Sequence, residues 1–302
     1  MAGIRELRGR IKSVGNIKQI TRAMEMVAST KLRRFQDRAV ASRPYATEIT
    51  GLVGRLAGVL GEDLADRPLF KPGAGEATAV LLVTSDRGLC GGYNANVFRV
   101  LEEWLLARKE SGDNSSVHFF VYGRKGYKYL TKRGHKVERY LVEPPLEEID
   151  FPNAARTAAV LTQAFETGAY RDVKMIFTAF ISAAKYVPES VPFLPIAPDA
   201  LGAGDSGSDG SSDLAAGGDV LLEPDANSIF DSLIPRYLET RIYNALIESL
   251  TSEYASRRAS MKNATDAASD MQGELKLLYN RLRQETITKE LLDIVGGAEA
   301  VR

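Results

Sequence analysis

Residues 79–109 read AVLLVTSDRGLCGGYNANVFRVLEEWLLARK, and this stretch decides the fold class. Its opening, Ala79-Val80-Leu81-Leu82-Val83, is a continuous apolar run of the kind expected of a strand covered on both faces. From Asn96 to Lys109 the period changes, and Val97, Val100, Leu101, Trp104 and Leu105 fall on one helical face. Outward from there the alternation continues. Val117–Tyr122 reads as a second strand, Tyr127–Lys132 as a short helix closed by Gly134, and Lys136–Val142 as a third strand. Ala154–Phe165 reads as a helix ended by Gly168, and Val173–Ile181 as another strand. Strand and helix in turn over 77–200 predict a Rossmann-like α/β domain with a mainly parallel sheet.

Long helices flank this domain. Ile4, Leu7, Ile11 and Val14 step by three and four; after a three-residue slip, Ile17, Ile20, Met24 and Val27 do the same, and Leu32 and Phe35 extend the pattern. The reading is one helix over 1–60, about 85 Å long, with an irregularity near Pro44. At the other end Ile229, Leu233, Tyr237, Ile242, Leu246, Leu250 and Tyr254, then Met271, Leu275, Leu278 and Leu282, predict a helix over 227–302. Pro235 should kink that helix or mark its first turn. Helices of this length cannot be covered by some 120 residues of α/β domain, so an antiparallel coiled coil of the two chain ends is expected. The longer helix should outrun its partner, and something outside should surround the rod. Between domain and second helix, residues 202–218 (GAGDSGSDGSSDLAAGG) read as a mobile Gly/Ser/Asp loop.

Composition narrows the chemistry. The 302 residues hold 39 basic and 39 acidic side chains, so bulk charge recruits the chain to neither nucleic acid nor anionic membrane. The charge is uneven: residues 1–43 carry eleven bases against three acids, while 199–225 hold seven acids and no base. A solvated face or an acidic protein partner accounts for the basic helix better than nucleic acid does, since only Phe35 and Tyr45 interleave with it. One cysteine, Cys90, and two histidines, His118 and His135, make a disulfide or a structural metal improbable, and no cofactor is expected. Without a signal-peptide core or an apolar run of spanning length, the chain reads as soluble, of a reducing compartment.

The turn Ser85–Asn94, between strand and helix, could cradle a phosphate on its free amides. Neither G-x-G-x-x-G nor G-x-x-x-x-G-K-[ST] is present, so a tight glycine connection is the plainer reading. Cys90 has no evident base, and His118 alternates with apolar neighbours as a structural imidazole would. No active site stands out. An enzyme binding a phosphorylated ligand at this turn, and a scaffold whose basic helix binds nucleic acid, remain as alternatives.

Three motifs carry a resemblance. The first is Ile20-Thr21-Arg22-Ala23-Met24-Glu25-Met26-Val27-Ala28-Ser29 with Lys31-Leu32-Arg33 and Ser42-Arg43-Pro44-Tyr45; the second is the turn Ser85–Asn94; the third is Ile287-Thr288-x-Glu290-x-x-Asp293-x-x-x-Gly297-Ala298-x-Ala300. In this order they resemble the gamma-subunit family of F-type ATP synthases. The resemblance implies a non-catalytic rotating central stalk inside a head of alpha and beta subunits. It also implies contacts with the epsilon subunit and the c-subunit ring, and a place peripheral to the membrane on its cytoplasmic, bacterial side. By position in the family, Met24, Arg33, Arg34, Arg257, Arg283 and Gln284 are implied to meet the beta subunit through weak, exposed contacts that break as the stalk turns. Leu291, Ile294 and Val295 are implied to turn in an apolar sleeve, and Leu222 and Glu223 to approach the c ring. The 202–218 loop lacks the cysteine pair of plastid relatives, so thiol switching is not expected, and a start without transit peptide favours a bacterial chain.

Overall fold

The computed structural model describes residues 2–64, 66–197, 201 and 225–299. The chain divides into two compact units, Leu32–Ala255 and Met1–Lys31 with Ser256–Arg302, and the division falls inside both long helices. The expected loop at 202–218, and Leu222 and Glu223, lie outside the described residues.

The larger unit is built on a five-stranded sheet, β1 (Ala77–Val83), β2 (Val117–Tyr122), β3 (Lys136–Leu141), β4 (Tyr170–Phe180) and β5 (Tyr186–Leu194), in the order β3-β2-β1-β4-β5. β1 lies parallel to β2 and β4, and β2 parallel to β3. The helices α2 (Tyr93–Glu110), α3 (Arg124–Lys132) and α4 (Phe151–Glu166) connect the strands. All seven residues of β1 are buried, as its unbroken apolar run requires of a central strand. Val80, Leu82, Val97, Leu101, Phe119, Val121, Leu130 and Ile176 close the core on one side of the sheet, each fully buried.

Three helices begin three residues ahead of the sequence reading, for local reasons. In α3 the start follows Gly123, whose φ of 93° and close approach to Thr84 leave no room for a Cβ. Ahead of α2, Leu89 and Gly91 both adopt positive φ and swing the chain directly into the helix. At α4, Asp150 caps the first turn by accepting the Asn153 amide at 2.9 Å, with Pro152 just inside. β5 is absent from the sequence reading. It runs antiparallel to β4 at the sheet edge and carries Pro188 and Pro192, residues that an edge strand tolerates and a central one does not.

The long helices are α1 (Ala2–Leu60) and α5 (Ala226–Glu299). Pro44 lies within α1 and Pro235 within α5, in its third turn rather than its first. Within the larger unit, Leu32, Phe35, Ala39, Ile49 and Val53 of α1 and Ile242, Leu246, Leu250 and Tyr254 of α5 are buried. Phe35 and Tyr254 meet ring to ring at 5.3 Å.

In the smaller unit the helices pair antiparallel: Arg8 bonds Tyr279, Gly15 faces Gln272, Lys18 bonds Ser269 and Thr21 bonds Thr265. Ile4, Leu7, Ile11 and Val14 face the partner helix as expected, with Leu275 and Leu282, but beyond Val14 the face in contact differs from the one expected. Ile17, Ile20 and Val27 are 52–60% exposed, and Met271 and Leu278 also point outward. The covered seam is Ile4, Leu7, Ile11, Val14, Lys18, Thr21, Glu25 and Ala28 against Met261, Thr265, Ala268, Gln272, Leu275, Tyr279 and Leu282, all buried or half-buried. Both rows step strictly by three and four, so there is no slip. Polar residues keep the seam positions where the sequence offered apolar neighbours one step away.

Candidate functional site

The sheet order reverses at β1, which has β2 on one side and β4 on the other. In doubly wound domains the crevice beyond the strand ends at such a switch point is where a ligand is held. Here α5 fills it. Ser249, fully buried, has its Oγ 3.0 Å from the Tyr93 hydroxyl and accepts the Thr178 amide at 3.1 Å. Ser252 Oγ donates to the Thr178 carbonyl at 3.4 Å, and Glu248 Oε2 accepts the Phe180 amide at 3.3 Å. Burial raises the Tyr93 pKa, and the Glu253 carboxylate raises it further, so Tyr93 stays a neutral hydroxyl. Burial also raises that of Glu248, and Glu189 adds to it, against the pull of the Phe180 amide and Arg43.

The turn Ser85–Asn94 spends its polar groups on itself. Asn94 Oδ1 accepts the Ser85 amide at 3.1 Å, while its Nδ2 donates to Ser85 Oγ at 2.7 Å and to Cys90 Sγ at 3.2 Å. Ser85 Oγ donates to the Arg87 carbonyl at 2.8 Å. Beneath it, Asp86 Oδ1 accepts the Arg124 amide at the start of α3. Cys90 is 2% exposed within this knot and presents no thiol to solvent. The glycines thus serve a tight connection, in which the Ser85 amide is taken by Asn94 and the Tyr93 amide by the Cys90 carbonyl. His118 is half-buried with Nδ1 3.3 Å from the Tyr170 hydroxyl and Nε2 3.3 Å from Lys136 Nζ. Burial, reinforced by Lys136, lowers its pKa and keeps the ring neutral. Among the described residues no group of three or more His, Cys, Asp and Glu is placed to hold a metal.

The residues that the resemblance singles out are dispersed. Arg33 and Arg34 are exposed on α1 in the larger unit. In the smaller unit Met24 is half-buried, and Arg283 and Gln284 are exposed near the opposite end of the helix pair. Arg257 is only 7% exposed, so it offers no exposed charge pair, and the expectation that it makes a weak, breakable contact at the surface is set aside. Around the polar part of the seam, Lys18, Arg22, Glu25, Lys262, Asp266 and Ser269 line a groove of about 630 Å³. By the register of the pairs, the first residues of α1 meet α5 near Glu285, and among the described residues the rest of α5 has no partner helix. Leu291, Ile294 and Val295 on that bare end are 57–67% exposed, with Ile287 and Leu292 beside them.

Sequence reasoning missed Glu248, Ser249 and Ser252. Their only signal was a hydroxyl-rich interval, Ser249-Leu250-Thr251-Ser252, inside an otherwise apolar helix face.

A doubly wound domain whose crevice is plugged by its own helix, with a two-helix coiled coil and a bare apolar end, defines a coiled-coil α/β protein. The family model described as ATP synthase matches residues 3–301, and the chain belongs to that family. Relatives named ATP synthase gamma chain include those of Methylibium petroleiphilum, 40% identical over 305 residues, and Heliobacterium modesticaldum, 36% over 303, each covered in full along with this chain. Among solved structures, the chain resembles one of the Tetrahymena thermophila mitochondrial ATP synthase central stalk and c ring at TM-score 0.55 and 26% identity, covering 81% of this chain and 99% of that one. It matches a chain of the Euglena gracilis mitochondrial enzyme at TM-score 0.64 and 20% identity, covering 99% and 95%.

Proposed function

We propose that this chain is the rotating central stalk of an F-type ATP synthase, coupling ion flow through a c ring to ATP synthesis or hydrolysis on beta subunits, and is itself non-catalytic. The observation that carries the reading is the bare end of α5. A helix end with Leu291, Leu292, Ile294 and Val295 exposed and, among the described residues, no partner helix marks a surface that another protein covers. Full-length identity to chains named ATP synthase gamma chain supplies the enclosing partners: the alpha and beta subunits around the coiled coil, and epsilon and the c ring at the α/β domain. The plugged crevice and the closed Ser85–Asn94 turn support catalysis elsewhere than on this chain. Among the described residues no helix is long and apolar enough to cross a membrane, and attachment through the c ring makes the chain peripheral.

In this reading Arg33, Arg34, Arg283 and Gln284 meet the beta subunit as exposed groups whose individual contacts are worth about 0.2–1 kcal/mol, weak enough to break at each step of rotation. The tests are reconstitution with alpha and beta subunits for an ATPase assay, and of the whole complex in sealed vesicles for ATP made per ion transported. Sustained turnover should require the chain, and Arg283→Ala with Gln284→Ala should lower the ATP made per ion transported. A head that turns over equally well without the chain would overturn the reading.

A further inference from the structure

β4 is longer than its central neighbour. Its pairing with β1 ends at Leu82 and Ile176, and β1 stops at Val83, but β4 continues to Phe180. Beyond that point the groups of β4 that look away from β5 have lost their strand partner. The amides of Thr178 and Phe180, two residues apart on one side of the strand, are taken by Ser249 Oγ and Glu248 Oε2, and the Thr178 carbonyl by Ser252 Oγ. One turn of α5 therefore completes the ladder that β1 leaves unfinished. Ser249 does more than its neighbours, because the same Oγ reaches the hydroxyl of Tyr93, the first residue of α2. A single buried oxygen joins β4, α2 and α5.

Apolar contact alone would hold α5 on the sheet but would resist sliding poorly, since dispersion and burial are non-directional. Hydrogen bonds weaken steeply as their angle opens, so a cluster of them fixes the azimuth of a helix as well as its distance. We propose that Ser249 is a positioning residue for torque transfer, locking α5 to the sheet so that rotation of the α/β unit is carried into the helix without slip. This rests on the central-stalk reading and adds to it the joint through which the stalk is driven.

The experiment uses the assembled complex of alpha, beta and this chain, with a bead on the α/β unit through Lys109→Cys. Angular variance of the bead during a stalled dwell reports torsional stiffness. Ser249→Ala should raise the variance at the Lys109 position by about twofold, the loss of two of the four bonds of the joint. The unloaded ATPase rate should stay unchanged. Ser249→Thr, which keeps the hydroxyl, should restore the stiffness. Should Ser249→Ala fail to fold, Tyr93→Phe removes only the α2 arm of the joint and should give a smaller rise. A lower Tm with unchanged variance would reduce Ser249 to a packing role and overturn the proposal. Failure of the native complex to rotate would instead strike the stalk reading.

Discussion

The core around β1 and the seam between α1 and α5 are assembled on different terms. Around β1, eight side chains from three strands and two helices are fully buried, and every one is apolar. In the seam, apolar layers lie at the outer end, Ile4 to Val14 against Leu275 and Leu282, while Lys18, Thr21, Glu25, Thr265 and Gln272 hold the middle. The sheet gains its stability from burial in one place. The coil spreads a thinner gain along its length and keeps a polar groove beside it. Burial of apolar area sets the first regime; paired hydroxyls and ammonium groups, each worth little net, set the second.

The contrast is open to attack by substitution. The largest effect should come from the core: Leu101→Ala should destabilise the α/β unit by about 2–5 kcal/mol in urea unfolding, because the site is fully enclosed. A loss below about 1 kcal/mol would mean that the core is looser than its burial indicates. Next, Asn94→Ala should cost about 1–3 kcal/mol, since it strips the Ser85 amide and two further partners inside a closed turn. In the seam, Thr21→Val combined with Thr265→Val should change stability by no more than about 1 kcal/mol, because both partners of one hydroxyl pair are replaced together by groups of the same shape. A loss comparable to that of Leu101→Ala would erase the distinction between the two regions.

The smallest effect concerns pH. Folding raises the Glu248 pKa above its ordinary 4.5, chiefly through burial. The folded chain therefore holds this proton more tightly than the unfolded one, and the stability it contributes is complete below pH 4.5 and lost as pH rises through the folded value. Glu248→Gln keeps an acceptor for the Phe180 amide and removes the buried charge. It should raise Tm slightly at pH 7.5, by about 1–3 °C, with the advantage shrinking toward pH 4 in a calorimetric pH series.

What could be read from the sequence follows the same division. Ala79–Val83, Val117–Tyr122 and the amphipathic α2 and α4 declare themselves because local period and tertiary burial agree. β5 stayed hidden because Pro188 and Pro192 argue against a strand unless its edge position is known. The seam was misread for the opposite reason: Ile17, Ile20 and Val27 make a better apolar row than Lys18, Thr21 and Glu25, yet the partner helix selects the latter. Ser249 could not be singled out, since its meaning lies in Thr178 and Tyr93, 71 and 156 residues away in the chain. Arg257, exposed by its sequence class, is buried. The motif residues at the far end of α5 were legible because among the described residues nothing covers them.

The strict three-and-four stepping of both seam rows has one more consequence. A repeat of 3.5 residues on helices that prefer 3.6 winds the pair left-handed. A two-ply cord of fixed hand tightens when wrung one way and opens its strands when wrung the other. Clockwise and counter-clockwise loads on this segment are therefore not mechanically equivalent, whatever drives them.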